Sequence, residues 1–329
     1  MLTRYIGSMF LSLVALAACG NDDVGTGNGN CIGHQCDDTL ITDPEGGQIV
    51  FEYIYLDTDL QQALKVPPGV TTVNRVVAFF MNGQTPEANP LPAPGQCNNL
   101  VATKGWPGFI GSPHTDLDVG TLEITGKNAK GLDVTIAVDK QPMGNDAFSR
   151  PHDIYYQKIT PNADDVLKPD SAYSVKFGGS PTFPAASLPS SLYLASKFDV
   201  SGPTLEENGP LVAGTDYTVH WTPTPTPGLP EGDDLAVTTW LVDVTGGATH
   251  MCPMPYDAGQ FTIPGKAIAE YQAIAKARGL PSDQMILLRN GVIHQLRRLP
   301  NQPATNKRRI DMLTLMCWAQ IMAVQGTPP

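Results

Sequence analysis

DVGTLEITGK, residues 118–127, returns 139 positions later as DAGQFTIPGK, residues 257–266. Five of the ten positions are identical: the Asp, both Gly, the Ile and the Lys. Asp-x-Gly is turn chemistry, because the Asp side chain bonds backbone two residues on and Gly accepts a positive φ. The alternations Leu122, Ile124 and Phe261, Ile263 then place matching apolar residues on matching faces of a strand. Each block follows a cysteine, Cys97 or Cys252, and a candidate strand. The repeat predicts two related β units, one in each half of the chain.

A second echo sets LKPDSAYSVKF, with Tyr173, Val175 and Phe177, against LVAGTDYTVHW, with Tyr217, Val219 and Trp221. Its offset is only 44, so it stands outside the register of the first repeat. Other strand signals are Gln48 to Leu56, Val73 to Met81 and Ala236 to Val244, rich in β-branched and aromatic residues. Ile268, Tyr271, Ile274 and Ala275 switch to helical spacing, with Gly279 placed to end a helix and Pro281 beyond it. Asn290-Gly291 between two apolar runs predicts a hairpin turn. The last strand, Asp311 to Ala323, sets Leu313, Leu315, Cys317, Ala319 and Ile321 on one face, which points Cys317 toward a core. With 32 glycines and 30 prolines in 329 residues, the composition favours short strands and turns. The expected fold is mainly β: two tandem sandwich domains, 48–199 and 200–329, the second with one short helix.

Charge excludes one class of function. There are 32 Asp plus Glu against 21 Lys plus Arg, a net charge of −11, and phosphate backbones need a cationic surface. No nucleic-acid partner is expected.

Ahead of the strands, Arg4, the apolar core from Ile6 and the small residues at Leu16-Ala-Ala-Cys19 have the plan of a secretory signal. The run is shorter than the roughly 20 apolar residues that span a bilayer. Leu16 to Cys19 resembles the lipobox of bacterial lipoproteins, which implies cleavage after residue 18 and a diacylglycerol on Cys19. Residues 19–47, with seven glycines and few large apolar side chains after the cysteine, read as a flexible tether. Gly20 directly after Cys19 is similar to lipoproteins sent to the outer membrane. The resemblance therefore implies an exported, lipid-anchored protein whose partners are the membrane and an envelope protein or glycan. In that oxidising setting Cys31, Cys36, Cys97, Cys252 and Cys317 become disulfide candidates, with at least one left over. Cys31 and Cys36 are expected to bridge within the tether.

Residues 200–329 are similar to the immunoglobulin-like β-sandwich modules of bacterial surface lipoproteins, in strand spacing and in the turn and strand DAGQFTIPG. On that reading the first choice of bridge is Cys252–Cys317, joining a mid-domain loop to the last strand.

Catalytic signatures are absent: no G-x-S-x-G elbow, H-E-x-x-H pair, P-loop or dinucleotide fingerprint. No catalytic residue and no cofactor are expected. The alternative is an exported enzyme or metal protein using His114, His152, His250 and Cys252. His250, Cys252 and Met254 supply ligand types that suit copper, yet the loop after Cys252 lacks a second His. Buried Met and Cys more often fill a core. His114 with Asp116 and Asp118, and His152 with Asp153, are more simply turn clusters. Arg289, Arg297, Arg298, Lys307, Arg308 and Arg309 have no acid among them. They form either a patch for an anionic partner or a solvated loop, the usual fate of charge runs.

Overall fold

The computed structural model describes residues 45–56, 58–63, 66–83, 98–101, 114–141, 144–145, 151–152, 154–197, 210–230, 235–243, 248–277, 279, 282–299 and 309–326. In chain order its strands are β1 (Glu45–Leu56), β2 (Thr72–Gly83), β3 (Asn98–Val101), β4 (His114–Asp116), β5 (Leu122–Lys127), β6 (Asp133–Gln141), β7 (Gly144–Asn145), β8 (Pro151–His152) and β9 (Tyr155–Pro161). They continue with β10 (Ser171–Phe177), β11 (Ala186–Leu194), β12 (Leu211–Val212), β13 (Tyr217–His220), β14 (Leu235–Asp243), β15 (Ala248–Pro255), β16 (Gln260–Ile263), β17 (Gln284–Arg298) and β18 (Arg309–Gln325). The mainly-β expectation holds, and the one substantial helix among the described residues is Gly265–Ala277. No described helix is long and apolar enough to cross a membrane.

One sheet runs β11-β10-β5-β6-β9-β2-β1-β18-β17-β14-β15-β3, with β12 and β4 pairing off that path. Its centre is the parallel pairing of β1 with β18, Glu52 opposite Leu315 and Tyr55 opposite Trp318. That pairing joins the segments on either side of residue 200. The central strands are buried on both faces: Ile49, Phe51 and Tyr53 on one side of β1, Val50, Glu52 and Ile54 on the other. Such strands read as near-continuous apolar runs. Outer strands such as β5 and β10 alternate buried and half-buried positions.

The sheet curls until its edge strand β11 lies on the face of β17 and β18. Tyr193 N–H donates to Gln295 Oε1 at 3.1 Å, and Thr314 Oγ1 donates to the Tyr193 carbonyl at 2.5 Å. Side chains thus satisfy backbone groups that a bare edge would expose. One apolar cluster fills this curl, with Phe51, Tyr53, Phe80, Ile124, Tyr173, Phe177, Met312 and Met316 among its members. A second cluster takes the far ends of β17 and β18, Met285, Leu287, Met322 and Val324, covered by Tyr217, Val219, Ile263, Ile268 and Tyr271. Asp216 Oδ1 accepts from Gly265 N–H at 2.8 Å where that helix begins, a favourable place for an anion.

The structure explains the repeat and joins the two echoes. Gly120 and Gly259 both hold positive φ, +74° and +70°, and Asp118 Oδ1 accepts from Gly120 N–H at 2.8 Å. The second glycine of each block is set by close approach: a Cβ on Gly126 would lie 2.3 Å from the Tyr173 ring, and one on Gly265 2.2 Å from Thr215 N. Ile124 and Ile263 are both buried. β5 pairs antiparallel with β10, and β16 with β13. The two echoes are therefore partner strands within each unit. Their offsets differ because β10 follows its partner in sequence while β13 precedes it.

Three expectations are corrected. Asn290-Gly291 is no turn: both lie inside the continuous β17, Asn290 opposite Cys317 and Gly291 opposite Met316. A turn signal needs its flanks to pair with each other, and here both flanks pair instead with β14 and the 17-residue β18. The Cys252–Cys317 disulfide is not formed, and no disulfide joins two described residues; Cys317 is a free, buried thiol and the Cys252 sulfur is engaged elsewhere. β15 and β18 are separated by β17 and β14, three strand spacings or about 14 Å, beyond disulfide reach. Finally, β1 begins at Glu45, so residues 45–47 are strand.

Candidate functional site

Between the two clusters, on the face shared by both, the sheet carries a row of polar and aromatic side chains. Tyr55, Trp318 and Arg289 are register partners across β1, β18 and β17. Alternation puts Tyr53 beside Tyr55, and Gln320 beside Trp318, on that face. The Tyr55 and Trp318 rings stack at 5.0 Å between centroids and 25° between planes, and Tyr53 tilts against Tyr55 at 4.8 Å. Lys197 Nζ sits over both tyrosine rings, 5.1 Å from Tyr53 and 5.4 Å from Tyr55, within cation–π range.

Asp164 ties the cation to the strip. Tyr53 OH donates to Asp164 Oδ1 at 2.7 Å, and Lys197 Nζ donates to the same oxygen at 3.3 Å. Burial, then the Asp164 bond, raises the Tyr53 pKa. Burial pulls Lys197 down, but the Tyr53 hydroxyl and the Asp164 carboxylate outweigh it and its pKa is raised. Both groups keep their protons at neutral pH.

Arg289 is only 1 % exposed. Its Nη2 donates to Gln320 Oε1 at 2.7 Å, while Nε and Nη1 have no acceptor. Burial lowers its pKa to about 10, partly offset by Tyr217, so the guanidinium stays charged at neutral pH. The buried hydroxyls of Tyr217 and Tyr55 are also without partners. Each such group normally finds a partner.

The opposite face of the same strands holds a second polar group. Arg75 and Glu52 form an ion pair, 1 % and 3 % exposed, on β2 and β1. Burial raises the Glu52 pKa against the pull of Arg75. Cys317 and Asn290 share this face; burial, then the nearby Glu52, lifts the Cys317 pKa well above the ordinary thiol value. A thiol held protonated is a poor nucleophile.

The sequence candidates are spread out. His114 is on β4, His152 on β8 in a separate two-stranded sheet, and His250 and Cys252 on β15. Cys252 is buried and Met254 packs against the first cluster. Among the described residues no three of His, Cys, Asp and Glu converge as a metal site. Asp118 is turn chemistry, ion-paired to Lys140 at 2.9 Å and accepting from Tyr156 OH at 2.8 Å. Of the basic run, Arg289 is buried and Arg297 half-buried on β17, Arg298 and Arg309 are register partners, and Lys307 and Arg308 lie outside the described residues. So do Cys19, Cys31, Cys36 and Cys97.

Sequence reasoning missed Tyr53, Tyr55, Trp318, Asp164 and Lys197. The alternating tyrosines of β1 were a visible signal, but their meeting with Trp318 depends on pairing strands more than 250 residues apart. The sequence matches no protein-family model and no curated relative.

Proposed function

We propose that this chain is a non-catalytic binding protein of the bacterial cell envelope. Acyl chains on Cys19 hold it in the outer membrane, and an envelope protein or glycan is its partner. The observation that carries the binding role is the stacked, half-buried pair Tyr55 and Trp318, with the exposed Lys197 over the Tyr55 ring and the buried Tyr53 backing it. Aromatic rings with a polar edge, fixed on long central strands, give contact area at low entropic cost. The Leu16 to Cys19 stretch supports the anchor.

Immunoglobulin-like modules remain part of this reading. Tyr173 OH accepts from Lys168 N–H at 2.6 Å, five residues upstream, and donates to the Lys127 carbonyl at 3.0 Å. This is the geometry of a tyrosine corner, a hallmark of such sandwiches. Leu211 to Tyr217 repeats the spacing of Leu167 to Tyr173.

Crosslinking of intact envelopes followed by mass spectrometry tests the binding role. A partner crosslinked near Lys197 in the native chain, and lost in a Tyr55→Ala, Trp318→Ala double variant, is the expected result. An unchanged crosslink pattern refutes the strip as the binding surface. Cys19→Ser should accumulate as unlipidated precursor, and normal maturation of that variant refutes the anchor.

A further inference from the structure

The main sheet divides at one seam. On one side, β11-β10-β5-β6-β9-β2-β1 come wholly from residues 45–194; on the other, β18, β17, β14 and β15 come from residues 235–325. Within either set, no described strand pairing joins residues more than 113 apart, the separation of Leu211 and Val324. Across the seam the partners stand 263 apart, as Gly46 does from Arg309. Among the described strands only β3 also crosses, by four pairs to β15. Closing a pairing costs chain entropy that grows with the loop it closes, and long-range pairings form slowly. Each set can therefore be built from its own nearer contacts before the seam exists.

Until the seam closes, β1 and β18 are both edges, 12 and 17 residues long. Ile49, Val50, Phe51 and Ile54 of β1 and Leu313, Leu315 and Met316 of β18 are buried once it has closed. An edge that long and apolar is a template for pairing with another chain. One charge interrupts it. Glu52 stands opposite Leu315 of β18 and is ion-paired to Arg75 of β2, on its own side of the seam. The pair is buried and incompletely satisfied, since Arg75 Nη1 has no acceptor. Apolar side chains of similar size often serve stability as well as a buried ion pair, or better, so stability alone does not account for it. An inward-pointing charge on an edge strand does, because it resists burial against a wrong neighbour.

We propose that β1 and β18 form a late-closing seam between two preformed half-sheets, and that Glu52 with Arg75 guards the open β1 edge until β18 arrives. In the open state water reaches the carboxylate at the edge. Pairing with a second copy of this chain would bury it for a few register pairs. The native seam supplies eleven, and the bonds of Tyr193 to Gln295 and Thr314 clasp it from the face. Only there is the cost of burying the charges offset.

The purified full chain, unfolded in urea and diluted to refold, tests both parts. Pulsed hydrogen exchange read by mass spectrometry should show β5 with β10, and β14 with β17, protected first. β1 should gain protection in two steps, because the amides of an inner strand point alternately to its two neighbours. The second step should coincide with completion of β18. Full protection of β1 in the first step overturns the late seam. For the guard, a Glu52→Leu, Arg75→Leu double variant is compared with the native chain. Its urea midpoint should be equal or higher, while its refolding yield at micromolar concentration falls several-fold and its aggregate grows with concentration. A variant that refolds as completely as the native chain at every concentration overturns the guard. If the leucine variant does not fold, Glu52→Gln with Arg75→Met, which stays closer to the native side-chain shapes, carries the same comparison with the same two outcomes.

Discussion

The Tyr173 ring occupies the space where Gly126 lacks a side chain, with an added Cβ falling 2.3 Å from ring carbon. A repeat glycine and an echo tyrosine, 47 residues apart, are thus one packing unit. Gly126→Ala should cost about 1–3 kcal/mol through overpacking. Gly131→Ala is the contrast: that position has a positive φ, +77°, which Gly126 does not, and open space around it. It should cost only the backbone term, about 1 kcal/mol. Urea unfolding of the two variants separates these effects.

Tyr173→Phe keeps the ring and deletes the corner. The Lys168 N–H and Lys127 carbonyl lose their shared partner, at a cost of about 1–3 kcal/mol. A fall in urea midpoint without a change in m-value is the expected signature, and an unaltered midpoint shows the corner to be dispensable.

Removing one member of the Glu52–Arg75 pair leaves a buried charge alone. Glu52→Gln or Arg75→Met should each destabilise by about 3–5 kcal/mol. The double variant should lose much less than the two single losses added together, because neither charge is then stranded. Additive losses in a double-mutant cycle argue that the two side chains act independently.

Cys317 should resist alkylation in the folded protein and react only on unfolding, which mass spectrometry after iodoacetamide treatment reads directly. Its folded pKa lies above the ordinary value of 9.0. Over the interval between those two values the unfolded chain has released a proton that the folded one retains. This contribution to stability is therefore complete below pH 9 and declines as the pH rises above it. Cys317→Ala should flatten that alkaline decline in a pH series of unfolding midpoints.

Asp118 works in the opposite sense. Burial opposes ionisation, but Lys140, Gly120 and Tyr156 prevail and lower its pKa below 3.8. Its contribution is present above pH 3.8 and fades as the pH falls through the lowered value. Asp118→Asn should remove that acid-side loss, read from unfolding midpoints between pH 5 and pH 2.

Local chemistry was legible in the sequence wherever neighbours in the chain set it. The helix at 265–277, the strand through Cys317 and the turn glycines 120 and 259 needed only periodicity and φ preference. The failures share a cause of another kind. Asn290-Gly291 looks like a turn until β18 is known to run past both flanks, and Arg289 looks solvated until Trp318 and Gln320 lie across from it. Cys252 and Cys317 look like partners until two strands intervene. Each depends on long-range pairing, which leaves no periodic trace in a single chain. The two-faced burial of β1 did leave one, the run IVFEYIYL, apolar or aromatic at every position but Glu52, and such a near-continuous run marks a strand with neighbours on both sides and cover on both faces.

β1 is the first described element, and it is held by eleven register pairs to β2 on one flank and eleven to β18 on the other. A pull on residue 45 along the strand axis therefore loads both ladders in shear, so that their hydrogen bonds must yield together instead of opening one at a time from an end. Force arriving along β1 is thereby shared with both neighbours, one of which, β18, is itself held by fifteen register pairs to β17, and the fold meets force at its mechanical keel.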